Sequence, residues 1–139
     1  MNIALIAHDA KKKLMQNFCI AYRGILTKNE LFATGTTGRL IEEVTNLNVH
    51  KFLAGHLGGE QQIGAQIEHN QIDMVFFLRD PLSPKVHEPD VNNVIHLCDI
   101  YNIPFATNLA TAELLIKALD RGDLEWREVL KKEGTDIDE

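Results

Sequence analysis

The sequence predicts an α/β protein: one three-layer, doubly wound domain built on a parallel five-stranded sheet. Three observations predict it. Apolar runs of strand length alternate with amphipathic helical patterns along the chain. The runs Asn2–Ala7 and Asp73–Leu78 are apolar almost throughout, instead of alternating, as strands buried on both faces are. Such runs stop at His8-Asp9 and Arg79-Asp80-Pro81, so each strand passes abruptly into polar chain.

In chain order, β1 is expected over Asn2–Ala7, with Asp9 capping a helix whose inner face is Leu14, Phe18, Cys19 and Tyr22. Lys11, Lys12 and Lys13 fall in that helix's first turn, where cations oppose the dipole. A solvated face accounts for three lysines there, and so does one lysine turned toward a nearby anion. A second strand is expected over Glu30–Thr34, then a turn and a helix to about Thr45. Val49–Ala54 reads as a third strand, running into the glycine-rich Gly55–Gln62 and a helix carrying Ile63 and Ile67. The central strand, Asp73–Leu78, is followed by Leu82–Pro89, which holds two of the chain's four prolines and reads as an ordered, irregular loop. Asp90 is expected to cap a helix with Val91, Val94, Ile95 and Cys98 inward. Pro104–Thr107 is a short last strand, and Asn108 or Thr111 caps a helix through Leu119. Residues 1–119 thus form the α/β domain. Residues 120–139 add a charged helix and tail to it, pinned by Trp126 and Leu130.

The 139 residues suit a single domain with an ordinary core, at 45% hydrophobic and 24% charged. A net charge of -6 argues against a nucleic-acid or anionic-membrane surface, so neither partner is expected. Cys19 and Cys98 lack metal-ligand spacing and lie on apolar helical faces, which predicts buried free thiols. With no signal peptide or long apolar span to read, the expected location is the cytoplasm.

The richest stretch is Ala33-Thr34-Gly35-Thr36-Thr37-Gly38-Arg39-Leu40. A glycine- and threonine-rich turn between strand and helix can aim backbone N–H groups and hydroxyls at one anion, and the helix dipole adds to the attraction. Phosphate is the favoured ligand. The plainer alternative is a helix start in which Thr36 or Thr37 is simply the N-cap. Right-handed crossovers place every strand-to-helix turn on the carboxyl edge of the sheet, where such folds bind ligands. That edge collects His8, Asp9, Thr34–Thr37, Ala54–Glu60, Asp80 and Asn108. Glu60 starts a helix, as dipole-complementing surface glutamates also do, and His87 can equally be a loop histidine with no task. Taken together, phosphate donors, a carboxylate base and a neutral imidazole suit proton abstraction beside the carbonyl of a small phosphorylated substrate.

Ala7-His8-Asp9, Ala33–Gly38, Gly58–Gly64, Asp80-Pro81-Leu82, His87–Val91 and Asn102-Ile103-Pro104 resemble the methylglyoxal synthase family, in order and from Ile3 to about Leu115. The resemblance implies a Rossmann- or flavodoxin-like fold and a homohexameric, cofactor-free and metal-free lyase. Its reaction converts dihydroxyacetone phosphate to methylglyoxal and inorganic phosphate. The same domain type also serves as a ligand-binding regulatory module in larger enzymes such as carbamoyl phosphate synthetase. His8, Lys12, Thr34, Gly35, Thr36, Thr37 and Gly55 match substrate-binding positions of the family. His87 matches the histidine that polarises the substrate carbonyl, and Asp9, Asp80 and Asp90 match further active-site carboxylates. Glu60 stands where the family has an aspartate as its base, one methylene longer. Ala54 replaces a common phosphate-binding serine, and His56 replaces the usual proline. These departures support an alternative: a weak or inactive module that binds a phosphorylated ligand for regulation. A dinucleotide-binding domain is disfavoured, because no G-x-G-x-x-G follows the first strand.

Overall fold

The computed structural model describes residues 1–54, 58–82 and 91–132. Strands β1 (Asn2–Ala7), β2 (Glu30–Ala33), β3 (Val49–Lys51), β4 (Met74–Leu78) and β5 (Phe105–Ala106) form one sheet in the order β3-β2-β1-β4-β5. All four pairings are parallel, with Leu5 opposite Ala33 on one side and Phe76 on the other. The helices are α1 (Lys12–Ala21), α2 (Arg23–Leu26), α3 (Gly35–Thr45), α4 (Gly59–Glu68), α5 (Val91–Tyr101), α6 (Leu109–Asp120) and α7 (Trp126–Lys132).

The period-two geometry of β1 divides its side chains between two cores. Ile3, Leu5 and Ala7 join Met15, Phe18, Ile41, Ala112 and Ile116, from α1, α3 and α6, on one face. Ala4 and Ile6 join Ile63, Ile67, Val94 and Cys98, from α4 and α5, on the other. β4 is divided in the same way, and all five of its residues are buried. The expected doubly wound, three-layer architecture is therefore present, and the strand order reverses between β1 and β4.

Several local expectations need correction. β3 ends at Lys51, not Ala54: the Phe52 N–H still bonds to Ala33 O, but the Leu53 and Ala54 carbonyls turn to the N–H groups of Gly35 and Gly59 at the starts of α3 and α4. Asp9 is not a cap. It sits inside a 3-10 turn (Asp9–Lys11), His8 holds the capping position, and the Asp9 carboxylate pairs with Lys12 at 3.4 Å. Phe18 and Cys19 are buried as expected and Met15 is buried with them, while Leu14 and Tyr22 only border the core. Asn108 caps α6 as expected, accepting the Thr111 N–H at 3.1 Å.

The C-terminal helix is pinned by a different residue from those expected. Trp126 is 45% exposed, whereas Arg127 is 1% exposed. The Arg127 Nε donates to Asp73 at 3.0 Å, Nη2 to Asn70 at 2.7 Å, and the remaining donors reach carbonyls of Tyr101, Asn102 and Ile72. The other Asp73 oxygen accepts the Asn2 N–H at 2.8 Å. One buried ion pair thus ties α7 to the amino edge of β1 and β4, opposite the edge that carries the site.

Candidate active site

β1 delivers His8 to the carboxyl edge, where it is 4% exposed. Its backbone N–H continues the ladder to Leu78, and its Nδ1 accepts the Asp80 N–H at 2.8 Å. Phe77 packs edge-on against the ring at 5.3 Å. A ring nitrogen that accepts a backbone N–H carries no proton, so the neutral tautomer here has its proton on Nε2. Lys12 then turns back over the end of β1, donating to Ala7 O at 2.8 Å, with Thr37 Oγ1 and Asp9 Oδ1 each at 3.4 Å. The middle lysine of the run is therefore the one recruited, bridging α1 and the threonine turn.

That turn starts α3, and its N-cap is Thr34 rather than Thr36 or Thr37. The Thr34 hydroxyl makes no capping bond, although Thr34 and Thr37 are only 3% and 1% exposed. The Gly35 N–H is taken by Leu53 O, and the Gly38 N–H closes the first helical bond onto Thr34. The N–H groups of Thr36 and Thr37 stand at the open amino end of the helix, where the dipole favours an anion. Gly35 is required by close approach: a Cβ there would lie 2.9 Å from Phe52 O. Arg39, one turn along, brings Nη2 to 3.5 Å from Thr36 Oγ1. Sequence reasoning passed over this second cation, although its spacing of three from Thr36 on a helix was a usable signal.

The second turn is laced to the first. Leu53 accepts from Gly35 through its carbonyl, at 3.2 Å, and donates its N–H to Gln62 Oε1 at 2.8 Å. Ala54 accepts the Gly59 N–H at 3.1 Å. A Cβ on Gly59 would lie 3.1 Å from the Thr34 methyl, so the start of α4 abuts the threonine turn. Glu60 follows directly and is 6% exposed, which rules out the reading as a surface glutamate. Asp80 lies beside His8 and accepts the Leu82 N–H at 3.0 Å.

The edge thus gathers His8, Asp9, Lys12, Thr34, Gly35, Thr36, Thr37, Ala54, Glu60 and Asp80. Gly55, His56, His87 and Asp90 lie outside the described residues. The cysteines are elsewhere, buried and free. Burial pushes both thiols up to about 12, so neither is a nucleophile here. Among the described residues no helix is long and apolar enough to cross a membrane.

A doubly wound domain with an anion-accepting helix start, a lysine over it and a buried carboxylate alongside belongs to the class that binds small phosphorylated molecules at the carboxyl edge. Comparison with known proteins narrows the class. The MGS-like domain model matches residues 17–107. The methylglyoxal synthase of Caldicellulosiruptor saccharolyticus is 70% identical over 94% of this chain and 92% of its own length. That of Alkaliphilus metalliredigens is 60% identical over 96% of this chain and all of its own. The crystal structure of methylglyoxal synthase from Elizabethkingia anophelis NUHP1 superposes with a TM-score of 0.81 at 44% identity, covering 83% of this chain and 76% of that one. The chain belongs to the methylglyoxal synthase family.

Proposed function

We propose that this chain converts dihydroxyacetone phosphate to methylglyoxal and inorganic phosphate, with Glu60 as the base. The observation that carries the reading is the seat of Glu60. A carboxylate is buried in the first turn of α4, one residue after the glycine packed on Thr34. Beside a phosphate-holding turn it has a chemical use. Membership of the family and the high identity to named synthases support the same reaction.

In this mechanism the N–H groups of Thr36 and Thr37, the threonine hydroxyls, Lys12 and the Nε2–H of His8 hold the phosphate. Glu60 takes a proton from C3, and the C–H electron pair becomes the C2–C3 double bond of an enediolate. His87 steadies charge on the C2 oxygen, with Asp9, Asp80 and Asp90 completing the carboxylate set and Gly55 contributing to the phosphate cradle. Those roles for His87, Asp90 and Gly55 rest on the family resemblance alone. With the C1–O bond held perpendicular to the enediolate plane, it overlaps the π system. The C3 hydroxyl then becomes an aldehyde, its proton passing to the departing phosphate, as the double bond moves to C1–C2 and phosphate leaves with the C1–O pair. The resulting enolate takes at C1 the proton that Glu60 removed, which gives methylglyoxal and restores the carboxylate. Planar alignment of that bond would instead favour isomerisation, so phosphate orientation decides the product.

The reading includes a homohexamer in the cytoplasm. Exposed Leu82, Leu114 and Val129 offer apolar surface for an assembly to cover, and scattering-derived mass several-fold above a monomer is expected. Glu60 and Ala54, in place of the family's aspartate and serine, are what favour the rival reading as a phosphate-binding module without turnover. Incubating purified protein with dihydroxyacetone phosphate decides between them. Equimolar methylglyoxal and phosphate are expected, and phosphate-analogue binding without either product would establish the module instead.

A further inference from the structure

The peptide units of Leu53 form a strut between the two halves of the site. Its carbonyl accepts the N–H of Gly35, the first residue of the threonine turn. Its N–H donates to the side chain of Gln62 at 2.8 Å, on the helix whose first turn carries Glu60. Gln62 and Glu60 lie two positions apart on α4, so they leave the helix on different sides. While Glu60 is buried, Gln62 is exposed at the surface of the turn. The surroundings of Gln62 therefore supply no packing reason for it, and its amide oxygen is spent on one backbone donor.

We infer that Gln62 is a positioning residue for the reaction proposed above: it pins Leu53 and so sets the distance between the base-bearing helix and the phosphate turn. Without that bond, the link from α4 to Leu53 and Ala54 among the described residues keeps the Gly59-to-Ala54 bond and the close contact of Gly59. A base displaced by about 1 Å can lose on the order of a hundredfold in rate, so a small hinge here is felt in turnover. Phosphate affinity should respond less, because α3 keeps its own helical bonds and Lys12 its hold on Ala7 and Thr37.

Gln62→Leu, with Gln62→Glu as the conservative control, tests this. The leucine fills similar volume and cannot accept a hydrogen bond. The glutamate keeps an acceptor at the same reach, with a charge that solvent screens at this exposed position. Gln62→Leu is expected to lower kcat by about 10- to 100-fold, with a much smaller change in KM. Its Leu53 amide should exchange with solvent about tenfold faster, and Gln62→Glu should restore both. Parent-like turnover in Gln62→Leu overturns the inference, as does lost turnover with an unchanged Leu53 amide. Failure of Gln62→Glu to recover either property overturns it as well. A parent that releases no methylglyoxal defeats the proposed reaction instead. The strut is then judged by Leu53 exchange alone, and unchanged protection in Gln62→Leu would defeat it too.

Discussion

Gly59 lies against the carbonyl of Leu53 so closely that a Cβ at position 59 would fall 1.8 Å from the oxygen and 2.8 Å from the carbon. Backbone, not a yielding side chain, fills that space. Gly59→Ala must therefore separate the start of α4 from the turn that precedes it, carrying Glu60 away from Thr34. A loss of about 1–3 kcal/mol in stability is expected from the overpacking, and a larger fractional loss in turnover. Denaturant unfolding alongside a rate assay checks both, and an alanine variant with parental stability and rate would mean that the turn can relax without consequence.

The phosphate donors should separate affinity from fold. Lys12→Ala removes a charge that bridges Ala7 and Thr37. A lost charge-assisted bond of about 1.5–3 kcal/mol corresponds to roughly 10- to 150-fold weaker phosphate binding. Thr36→Val and Thr37→Val should each cost less, with unfolding transitions near the parent's. Calorimetry with inorganic phosphate measures it, and unchanged affinity in all three variants would contradict the assigned turn.

Arg127 makes the opposite kind of prediction. Its pair with Asp73 is only 1% exposed on both sides and lies on the edge away from the site. Arg127→Leu leaves the Asp73 charge buried without the guanidinium that balances it, and a loss of about 3–5 kcal/mol is expected. The protein that remains folded should keep its KM. Urea unfolding and steady-state kinetics distinguish this from a catalytic role, which would show as a parental midpoint with altered KM.

Glu42 gives a pH-dependent component. Its hydrogen bond to Lys51, then that from the Val49 N–H, hold its carboxyl below the ordinary value. A depressed folded value means that the stabilisation is present above the unfolded carboxylate range and is lost as pH falls through the folded value. The stability difference between parent and Glu42→Gln should therefore be constant at neutral pH and shrink in acid. A difference that grows on acidification would reverse the assignment.

Much of this fold was legible because burial on both faces leaves a plain mark. β1 and β4 read as continuous apolar runs, as strands covered by helices on both faces do, whereas the strand order came from the structure. The lysine run was legible only in part: it left open a solvated face or one lysine turned toward an anion, and the position of Lys12 over Ala7 O and beside Asp9 needed the folded turn to appear. Asp9 misled because the chain spends one 3-10 turn before α1 begins, which moves the cap back to His8. Nothing in local pattern announced Arg127: its partner Asp73 is 54 residues away, and an arginine in a charged tail looks like solvent-facing chain. Gln62 was hidden for a related reason, since its task is to hold a backbone N–H that only the folded turn presents.

The central claim is that Glu60 is the base, and Glu60→Gln tests it most directly because the amide keeps the shape and loses the basicity. The measurement is methylglyoxal release from dihydroxyacetone phosphate by this variant, with phosphate affinity determined on the same preparation. The account predicts product formation abolished and phosphate affinity retained. Turnover at the parent's rate would contradict it.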